Sequence, residues 1–585
     1  MDSSALRYLL LGIAGVFIYM TFGGAAKSGS GERQPLGVES QRAPDPRAPE
    51  ASCELWSESL HAVVRSRGGT LTRFELLTGK YRKGGQPLEL STTPDPAGDH
   101  EFRQPLFTRL RGEGPEDPAA AWNLDLDSVD YAIERTDGRT CVLGYRDARV
   151  EVLRTLSVTP RPYELMVETT ITNRATTELR HALSIDQVAW RLHDEVEAKM
   201  FRISPYVTHV ECADTTGTTK RLLPTEFEPE DFVDEPFART AVNPQGAWWA
   251  MPGDAAFAGV SNAYFSQALA PISGPAAPTC LLQIEERWDR SRWSAAADDP
   301  EGGAMYRARL AYPPRALAPG ESSTYRVLSF TGPKERDVLQ SAGGGDAKLE
   351  NLIDLGFFSS IAKVLVGFLL AVHGMMHNWG VAIIVLTFTA RTLLFPLALP
   401  GIRNMIKMRE LKPHMDELNA RYKDDAQARG LAQMELWQKH GVNPLKGCFP
   451  QLASMPVWFA LYTTLQTAVE LYNTPFLWFP DLSQSDPLFI LPFIIGATYF
   501  VQQKMMPMQG GDPVQQKMMT YFMPGMFTLF MLFLPAGLGV YMFTNSVLGI
   551  TQQWLVEQQA RRALARSTAA AITVTAKESA PRSKS

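Results

Sequence analysis

The sequence predicts a multi-domain membrane protein in which a polytopic α-helical bundle of six crossings adjoins a large antiparallel β-sandwich. Two observations predict this fold class. Polar and apolar residues alternate through much of 50–350, as half-buried strands require, whereas 351–556 is dominated by Leu, Phe, Met, Ile and Val. The basic residues of the second part stand in short islands between apolar segments, and these islands indicate the direction of each crossing.

The chain begins with an apolar segment, YLLLGIAGVFIYMTF at 8–22, preceded by Arg7. We predict an uncleaved signal anchor over 1–24. A cleaved signal peptide is the alternative, because GGAAKS offers small residues for a cleavage site. Residues 25–52 mix Gly, Pro, Ser and Arg without periodicity, which predicts a flexible linker.

Residues 53–345 are predicted to form the sandwich. Segments such as YELMVETTITN (163–173) and STYRVLSFTG (323–332) alternate with period two, and turn signals separate such segments at short intervals. Acids of this domain, for example Glu285 and Glu286, are candidate catalytic groups. The preferred interpretation is that they lie on solvated strand faces and loops.

Charge and cysteine content exclude several classes of protein. A net charge of −5 and a pI near 6.1 argue against a general nucleic-acid binder. The cysteines contain no C-x-x-C pair, so the sequence predicts no metal site, no cofactor and no dense disulfide framework. If the β region lies in an oxidising compartment, one or two disulfides among the first four cysteines remain an alternative. The five are Cys53, Cys141, Cys212, Cys280 and Cys448.

The basic islands predict which segments lie in the cytoplasm. Residues 401–446 read as a polar helical hairpin that holds nine Lys or Arg residues and therefore belongs inside. With the sandwich outside, one crossing fits before the hairpin, and 379–400 is the better candidate. Residues 351–378 then form an amphipathic helix along the outer membrane surface.

Four further crossings are predicted within 447–556. The loop 473–486 has no Lys or Arg, whereas the tail 557–585 has six basic and two acidic residues, which places both termini in the cytoplasm. The crossings are 448–472, 487–506, 518–534 and 538–556.

One charge lies deep in the second crossing, where VAIIVLTFTARTLLFPLAL (381–399) contains Arg391. A charge there costs roughly 2.5 to 3.5 kcal/mol, and snorkelling to the inner headgroups relieves it only in part. The acid of the other crossings, Glu470, lies near the outer end and has no obvious charge to neutralise. Neutral polar groups are therefore the expected partners, around a hydrated cavity that suits a transient anion. They are Thr387, Thr389, Thr463, Thr464, Gln466, Gln502, Gln503, Thr544, Asn545, Gln552 and Gln553.

Methionines cluster in two crossings and the loop between them, where their adaptable side chains suit varied apolar partners as well as core filling. They are Met505, Met506, Met508, Met518, Met519, Met523, Met526 and Met531.

The order and spacing of four segments resemble the YidC/Oxa/Alb family of membrane insertases over 351–556. The segments are NWGVAIIVLTFTARTLLFPL, GVNPLKGCFPQLASMPVWFALY, GGDPVQQKMMTYFMPGMF and PAGLGVYMFTNSVLGITQQ. The motif GPKE at 332–335 and the large β domain resemble the periplasmic domain of family members from two-membrane bacteria. That domain is a galactose-mutarotase-like β-supersandwich.

The resemblance implies insertion of newly made proteins into the bacterial inner membrane without an enzymatic reaction. Five crossings would form a hydrophilic groove that is open to the cytoplasm and the bilayer and closed outside. Arg391 and Thr387 match groove positions of the family. Tyr541 keeps the aromatic character of a frequent aromatic pair, whereas Met542 departs from it. The predicted groove residues are Arg391, Thr387, Gln466, Gln503, Tyr541 and Asn545.

The resemblance also implies partners. These are nascent membrane proteins, membrane lipids and the Sec translocon (SecYEG and SecDF), with the ribosome and signal recognition particle contacting the hairpin and tail. Two other classes stay open. A small-anion transporter or channel would suit Arg391, although no internal repeat of broken helices is visible. A membrane-anchored sugar-processing enzyme would need paired carboxylates about 5 to 9.5 Å apart in the β domain.

Overall fold

The computed structural model describes most of the β domain and the membrane helices. The predicted first crossing, most of the linker 25–52, the start of the third crossing and the loop 507–517 lie outside the described residues. The described ranges are 49–91, 103–111, 129–192, 207–223, 248–286, 303–422, 425–442, 457, 459–505 and 518–578. They divide into a β unit, which runs to Asp354 and includes Thr467–Asn473, and a helical unit made of Leu355–Gln466 and the chain from Thr474 onward.

The described part of the β unit is built from antiparallel strands. They are β1 Ser52–Trp56, β2 Leu60–Arg65, β3 Leu71–Leu76, β4 Arg82–Lys83, β5 Gln86–Glu89, β6 Phe107–Arg111, β7 Ala132–Thr136, β8 Thr140–Arg146, β9 Val150–Val158, β10 Glu164–Asn173, β11 Leu179–Leu192, β12 His209–Asp214, β13 Thr219–Leu222, β14 Trp249–Ala250, β15 Ala255–Ser261, β16 Phe265–Ser273, β17 Thr279–Glu286, β18 Gly303–Ala311, β19 Arg315–Leu317 and β20 Ser322–Pro333. The predicted strands at 163–173 and 323–332 are confirmed as β10 and β20.

Three sheets form from these strands. A five-stranded sheet has the order β1-β2-β3-β5-β4, and a nine-stranded sheet has the order β13-β12-β15-β16-β20-β10-β9-β8-β7. The third sheet has the order β14-β17-β18-β11-β19, with β6 also paired to β11. Burial alternates along β9, where Val150, Val152 and Leu156 face the core, because successive side chains of a strand point to opposite faces.

The compact β unit extends past its predicted end at residue 345, because the GPKE motif holds the chain that follows it. The Lys334 ammonium donates to the carbonyl of Leu352 at 2.9 Å and lies 3.6 Å from the Glu211 carboxylate. Burial raises the pKa of Glu211, but Lys334 and its other positive neighbours outweigh that effect and hold this pKa well below its usual range. Leu349 and Leu352 are fully buried in the core of this unit.

The predicted third crossing, 448–472, is too long at its outer end. Its described helix ends at 467, and Val469–Leu471 forms a 3₁₀ turn that belongs to the β unit. Tyr472 lies against Phe265, with ring centroids 5.4 Å apart, and against Tyr81 at 5.9 Å. The apolar residues at 469–472 are therefore core residues of a soluble domain, and composition alone does not distinguish these from lipid-facing ones.

Glu470 consequently has charged neighbours, and the expectation that it has no charge to neutralise is wrong. It is half-buried within electrostatic range of Arg336 and Lys80. Burial raises the pKa of Glu470, and the two cations lower it only in part, so the pKa lies above its ordinary value.

Glu470→Gln is expected to support growth in a depletion strain and to melt no lower than the wild type at neutral pH. An acid with a raised pKa favours folding only while it is protonated, so its contribution is lost as the pH rises from about 4.3 through the folded pKa. Glutamine cannot ionise, so the melting temperature of the variant should fall less between pH 4 and pH 8. A variant that melts lower than the wild type at pH 7.5 would show that the attraction to Arg336 dominates.

The described part of the helical unit consists mainly of the following helices, and one short helix, α1, Arg336–Ser341, precedes them in the β unit. They are α2 Ser359–Met376, α3 Trp379–Glu410, α4 Lys412–Arg421, α5 Ala426–Lys439, α6 at 459–467, α7 Ile490–Met505, α8 Met523–Met531 and α9 Ala536–Glu578. A π-helical turn, Met518–Phe522, precedes α8.

Among the described residues, α2 and α3 are long and apolar enough to cross a membrane. One face of α2, with Ala362, Val366 and Leu369, is buried, while Lys363 and Val364 are exposed. This pattern fits an amphipathic helix, but α2 meets the same length and composition criteria as α3. The surface location of 351–378 stays a prediction.

Two predicted boundaries between membrane and cytoplasmic segments fall inside continuous helices. Helix α3 passes residue 400 without a break and ends at Glu410, although Pro396 and Pro400 each remove a backbone donor. Helix α9 passes residue 556 and ends at Glu578, in keeping with the alanine-rich stretch that follows 562. A hydropathy boundary marks where the solvent changes, and the helix does not have to end there.

The segment predicted to form the hairpin contains two helices, α4 and α5, which follow the extended end of α3. Its cytoplasmic location stays a prediction. Asp425 caps α5 by accepting from the backbone N–H groups of Gln427 and Ala428. Gln433 of α5 donates to the Asn419 side chain of α4 at 2.9 Å, so the two helices contact each other.

Candidate functional site

Arg391 of α3 lies against one face of α9. Its Nε donates to Asn545 Oδ1 at 2.7 Å, and its Nη2 donates to the backbone carbonyl of Asn545 at 3.1 Å. Nη1 lies 3.5 Å from Gln552 Oε1, and the Gln552 amide donates in return to the backbone carbonyl of Arg391 at 3.4 Å. Within the described ranges these partners are all neutral, as the sequence predicted.

Gly549 provides the space in which the guanidinium lies. A Cβ at this position would stand 3.0 Å from Arg391 Nη2, which is tighter than most Cβ contacts, and 3.5 Å from Gln502 Nε2, which is an ordinary contact distance. Glycine therefore lets the guanidinium lie against the α9 backbone, whereas a Cβ would require it to shift by a few tenths of an ångström. We call Arg391, Asn545, Gly549 and Gln552 the Arg391 cluster.

The cluster continues on α7 through Gln502. Ser546 donates to Gln502 Oε1 at 3.3 Å, and Ser546 is itself buried. The predicted neighbour Gln503 is partly exposed and makes no hydrogen bond among the described residues. Because successive helical residues point about 100° apart, Gln502 rather than Gln503 faces the arginine.

Thr387 and Tyr541 each precede a cluster residue by one helical turn. Thr387 is buried, and its hydroxyl donates to the carbonyl of Ile383 at 2.7 Å within α3. Tyr541 is only 5 % exposed, and its phenol lies within electrostatic range of Arg391. Both therefore support the helices around the arginine, and neither presents an open polar surface in this structure.

Two further predicted positions have different surroundings. Gln466 of α6 interacts with Tyr462 of the same helix, and no contact joins it to Arg391 among the described residues. Met542 is buried, with its sulfur 4.0 Å from the Tyr499 hydroxyl. The structure thus brings Asn545, Thr387 and Tyr541 to the arginine, and places Gln466 and Gln503 in other contacts.

Sequence reasoning missed Ser546 and Gly549, although a signal was present. Tyr541, Asn545 and Gly549 recur every four residues and lie on one face of α9. Gln552 follows three residues later on that face. A search for polar and small residues at this spacing, opposite a charged residue, would have found the whole cluster.

Large apolar side chains are exposed around the helices of the unit. Such surfaces are normal where hydrocarbon, and not water, is the solvent. Of the predicted methionine cluster, Met518 and Met526 are exposed and Met531 is buried. Other exposed apolar residues include Phe388, Leu393, Leu397, Phe493, Val501, Leu529, Trp554 and Leu555.

The described residues of the β unit contain no group of three or more His, Cys, Asp or Glu that could hold a metal ion. Glu285 and Glu286 occupy the last two positions of β17, and their backbones pair with Met305 and Ala304 of β18.

Comparison with known proteins decides the family. Residues 371–563 match the model of the 60Kd inner membrane protein family, and residues 54–368 match the model of the YidC periplasmic domain. The membrane protein insertase YidC of Anaeromyxobacter dehalogenans is 34 % identical over 539 residues, which covers 88 % of this chain and 87 % of that protein. This chain belongs to the YidC family of membrane protein insertases.

The YidC family is a family of insertases and not of known enzymes, and its proteins act on membrane proteins. Its match places this chain in the bacterial inner membrane with a periplasmic domain. The Arg391 cluster lies inside the matched membrane region, and the GPKE motif lies inside the matched periplasmic region.

Two solved structures are also similar. A crystal structure of active YidC insertase covers 94 % of this chain and 98 % of that chain, with 15 % identity and a TM-score of 0.34. A galactose mutarotase-like protein from Lactobacillus casei covers 48 % of this chain and 100 % of that chain, with 12 % identity and a TM-score of 0.31.

Proposed function

We propose that the Arg391 cluster receives the polar tail of a client protein while the client's apolar helix moves into the bilayer. The observation that carries this proposal is the set of partners of Arg391. Its hydrogen bonds go to the neutral groups of Asn545 and Gln552, and no carboxylate among the described residues balances its charge.

Because the hydrogen-bond partners of Arg391 are neutral, a charged group of a client can replace them. A hydrogen bond between neutral groups contributes about 1 kcal/mol, whereas one to a charged group contributes about 1.5 to 3 kcal/mol. A carboxylate of a client tail can bind the guanidinium through two parallel hydrogen bonds and so displace Asn545 and Gln552. The tail then meets a polar group inside the bilayer, which shortens its path through hydrocarbon.

The exposed apolar side chains suit the other part of the client. Phe388 and Leu393 of α3 are both more than half exposed, as are Trp554 of α9 and Leu529 of α8. A client helix can pass along such a surface into lipid because both environments are apolar. The flexible side chain of Met526 adapts to clients of unlike shape.

The topology belongs to the same proposal. Six crossings with both termini in the cytoplasm, and α2 along the periplasmic surface, put every basic island on one side. The hairpin α4–α5 and the basic tail then face the ribosome and signal recognition particle. The Sec translocon is the proposed membrane partner, and the insertase works with it or alone.

Site-specific photocrosslinking to a stalled, single-span nascent client tests this function. A photoreactive residue in place of Gln552 is expected to crosslink the polar tail. The control is the same residue in place of Trp554, which lies two positions further on α9 and therefore points about 200° away. From there we expect crosslinks to lipid or to the client's apolar helix.

Two results would contradict the proposal. Tail crosslinks of equal yield from both positions would mean that the tail has no defined site on α9. Crosslinks from the Gln552 position that are insensitive to the length of the nascent chain would mean that the contact is not a step of insertion.

A further inference from the structure

The β unit contains two disulfides, which settles the question left open by the sequence. Cys53 of β1 is bonded to Cys141 of β8, and Cys212 of β12 is bonded to Cys280 of β17. Each bond joins two different sheets. Together they link the five-stranded, the nine-stranded and the third sheet into one covalent stack.

All four sulfurs belong to buried residues. Cys53 is 3 % exposed, and Cys141, Cys212 and Cys280 are 0 % exposed. Thiol–disulfide exchange needs direct access of one sulfur to another. Neither an oxidant nor a reductant reaches these residues once the sheets have packed, so the bonds form while the domain folds and then persist.

The pairing is consecutive along the chain. Four cysteines allow three pairings, and here each cysteine is bonded to the next one, with separations of 88 and 68 residues. A chain that emerges with its N-terminal end first presents Cys53 and Cys141 before the second pair. Oxidation in order of appearance therefore gives the native bonds without rearrangement.

We propose that the β unit is a substrate of a protein dithiol oxidant of the periplasm, which closes both bonds during folding without the help of a disulfide isomerase. For each bond, one cysteine thiolate attacks the disulfide of the oxidant and releases one of its sulfurs. The second cysteine then resolves the mixed disulfide. Two electrons and two protons leave the chain, and the oxidant's disulfide becomes a dithiol.

Cys448 is an internal control for this proposal. It stands in the sequence directly after the hairpin 401–446, which is predicted to be cytoplasmic, and it lies outside the described residues. Thiols stay reduced in the cytoplasm. One molecule thus carries four cysteines that should be oxidised and one that should not.

The experiment counts free thiols in the full-length chain with a maleimide-linked polyethylene glycol under denaturing conditions, so that burial and misfolding do not affect the count. Cells are quenched with acid before labelling. We expect one added polymer chain in wild-type protein, none in Cys448→Ser, and five after reduction. The Cys53→Ser variant should carry one more polymer chain than the wild-type protein, because the substitution frees only the thiol of Cys141.

Cells that lack the periplasmic dithiol oxidant should give five free thiols, and cells that lack the isomerase should give one. Five free thiols in normal cells would overturn the proposal, as would unchanged bond formation without the oxidant. A requirement for the isomerase would overturn the consecutive order of closure. As a second measurement, loss of each bond should lower the melting temperature by roughly 5 to 10 °C.

Discussion

Arg391→Ala is expected to reduce the insertion of a single-span client with two acids in its translocated tail by roughly tenfold or more, and to spare a client with a short, uncharged tail. One acidic side chain at the bilayer centre costs about 2.5 to 3.5 kcal/mol, and each 1.4 kcal/mol is a factor of ten. If the arginine offsets half of that cost, about 1.3 to 1.8 kcal/mol for each acid, its loss corresponds to roughly tenfold for each acid in the tail. The measurement is the inserted fraction of clients with zero, one and two acids.

Arg391→Lys should retain more activity than Arg391→Ala, because both cations attract an acidic tail. Lysine lacks the planar set of donors that now binds the Asn545 side chain, its carbonyl and Gln552 together, so some clients will still be inserted less well. Asn545→Ala is the matched control. It keeps the positive charge of Arg391 and removes the side chain that Arg391 binds in this structure. The dependence of insertion on the number of tail acids should therefore persist.

The pattern across tails distinguishes two roles of the arginine. Equal loss for every tail would mean that Arg391 holds α3 to α9 and does not receive the client. A stable Arg391→Ala protein with full activity on all three clients would remove the electrostatic mechanism altogether. Protein levels of each variant are compared first, so that degradation is not mistaken for loss of insertion.

The sequence predicted the chemistry of this site better than it predicted which residues form the site. A charge deep in an apolar helix needs polar partners, and the absence of a depth-matched acid left neutral ones, which is what Asn545 and Gln552 are. Choosing Gln502 over Gln503 requires the rotation of α7, which packing sets. Gly549 acts through the absence of a side chain, so no list of polar residues contains it.

In the fold, as in the site, local sequence patterns predicted single elements, whereas features that depend on packing could not be predicted. Period-two alternation predicted β10 and β20 because each strand has one face in the core. The same apolar signal assigned 469–472 to a crossing, since Val469 and Tyr472 are as apolar in a protein core as in lipid. Disulfide pairing could not be predicted, because it depends on which strands of different sheets come together.

Asp186→Asn is expected to destabilise the β unit by about 3 to 5 kcal/mol, the usual effect of removing one partner from a buried ion pair. Asp186 accepts two hydrogen bonds from Arg309, at 2.6 and 2.8 Å, and both residues are 0 % exposed. Arg307 lies 3.5 Å away and is also buried. Asparagine keeps the shape but removes the negative charge that both buried guanidinium groups contact. Thermal unfolding of the full-length chain in detergent should show a loss of roughly 10 °C.

The control for Asp186 is Glu168, which has the same partner type and distance on the surface. Arg326 Nε lies 2.6 Å from Glu168 Oε2, but the side chains are 54 % and 35 % exposed, so Glu168→Gln should cost less than about 1 kcal/mol.

Burial raises the pKa of Asp186, yet Arg309 and Arg307 outweigh it and the pKa is lowered. An acid with a lowered pKa stabilises the fold above its unfolded value and loses that effect as the pH falls. The gap between wild type and Asp186→Asn should therefore be widest at neutral pH and narrow below about pH 4. Equal shifts for the two variants at pH 7 would mean that burial does not decide the importance of these pairs.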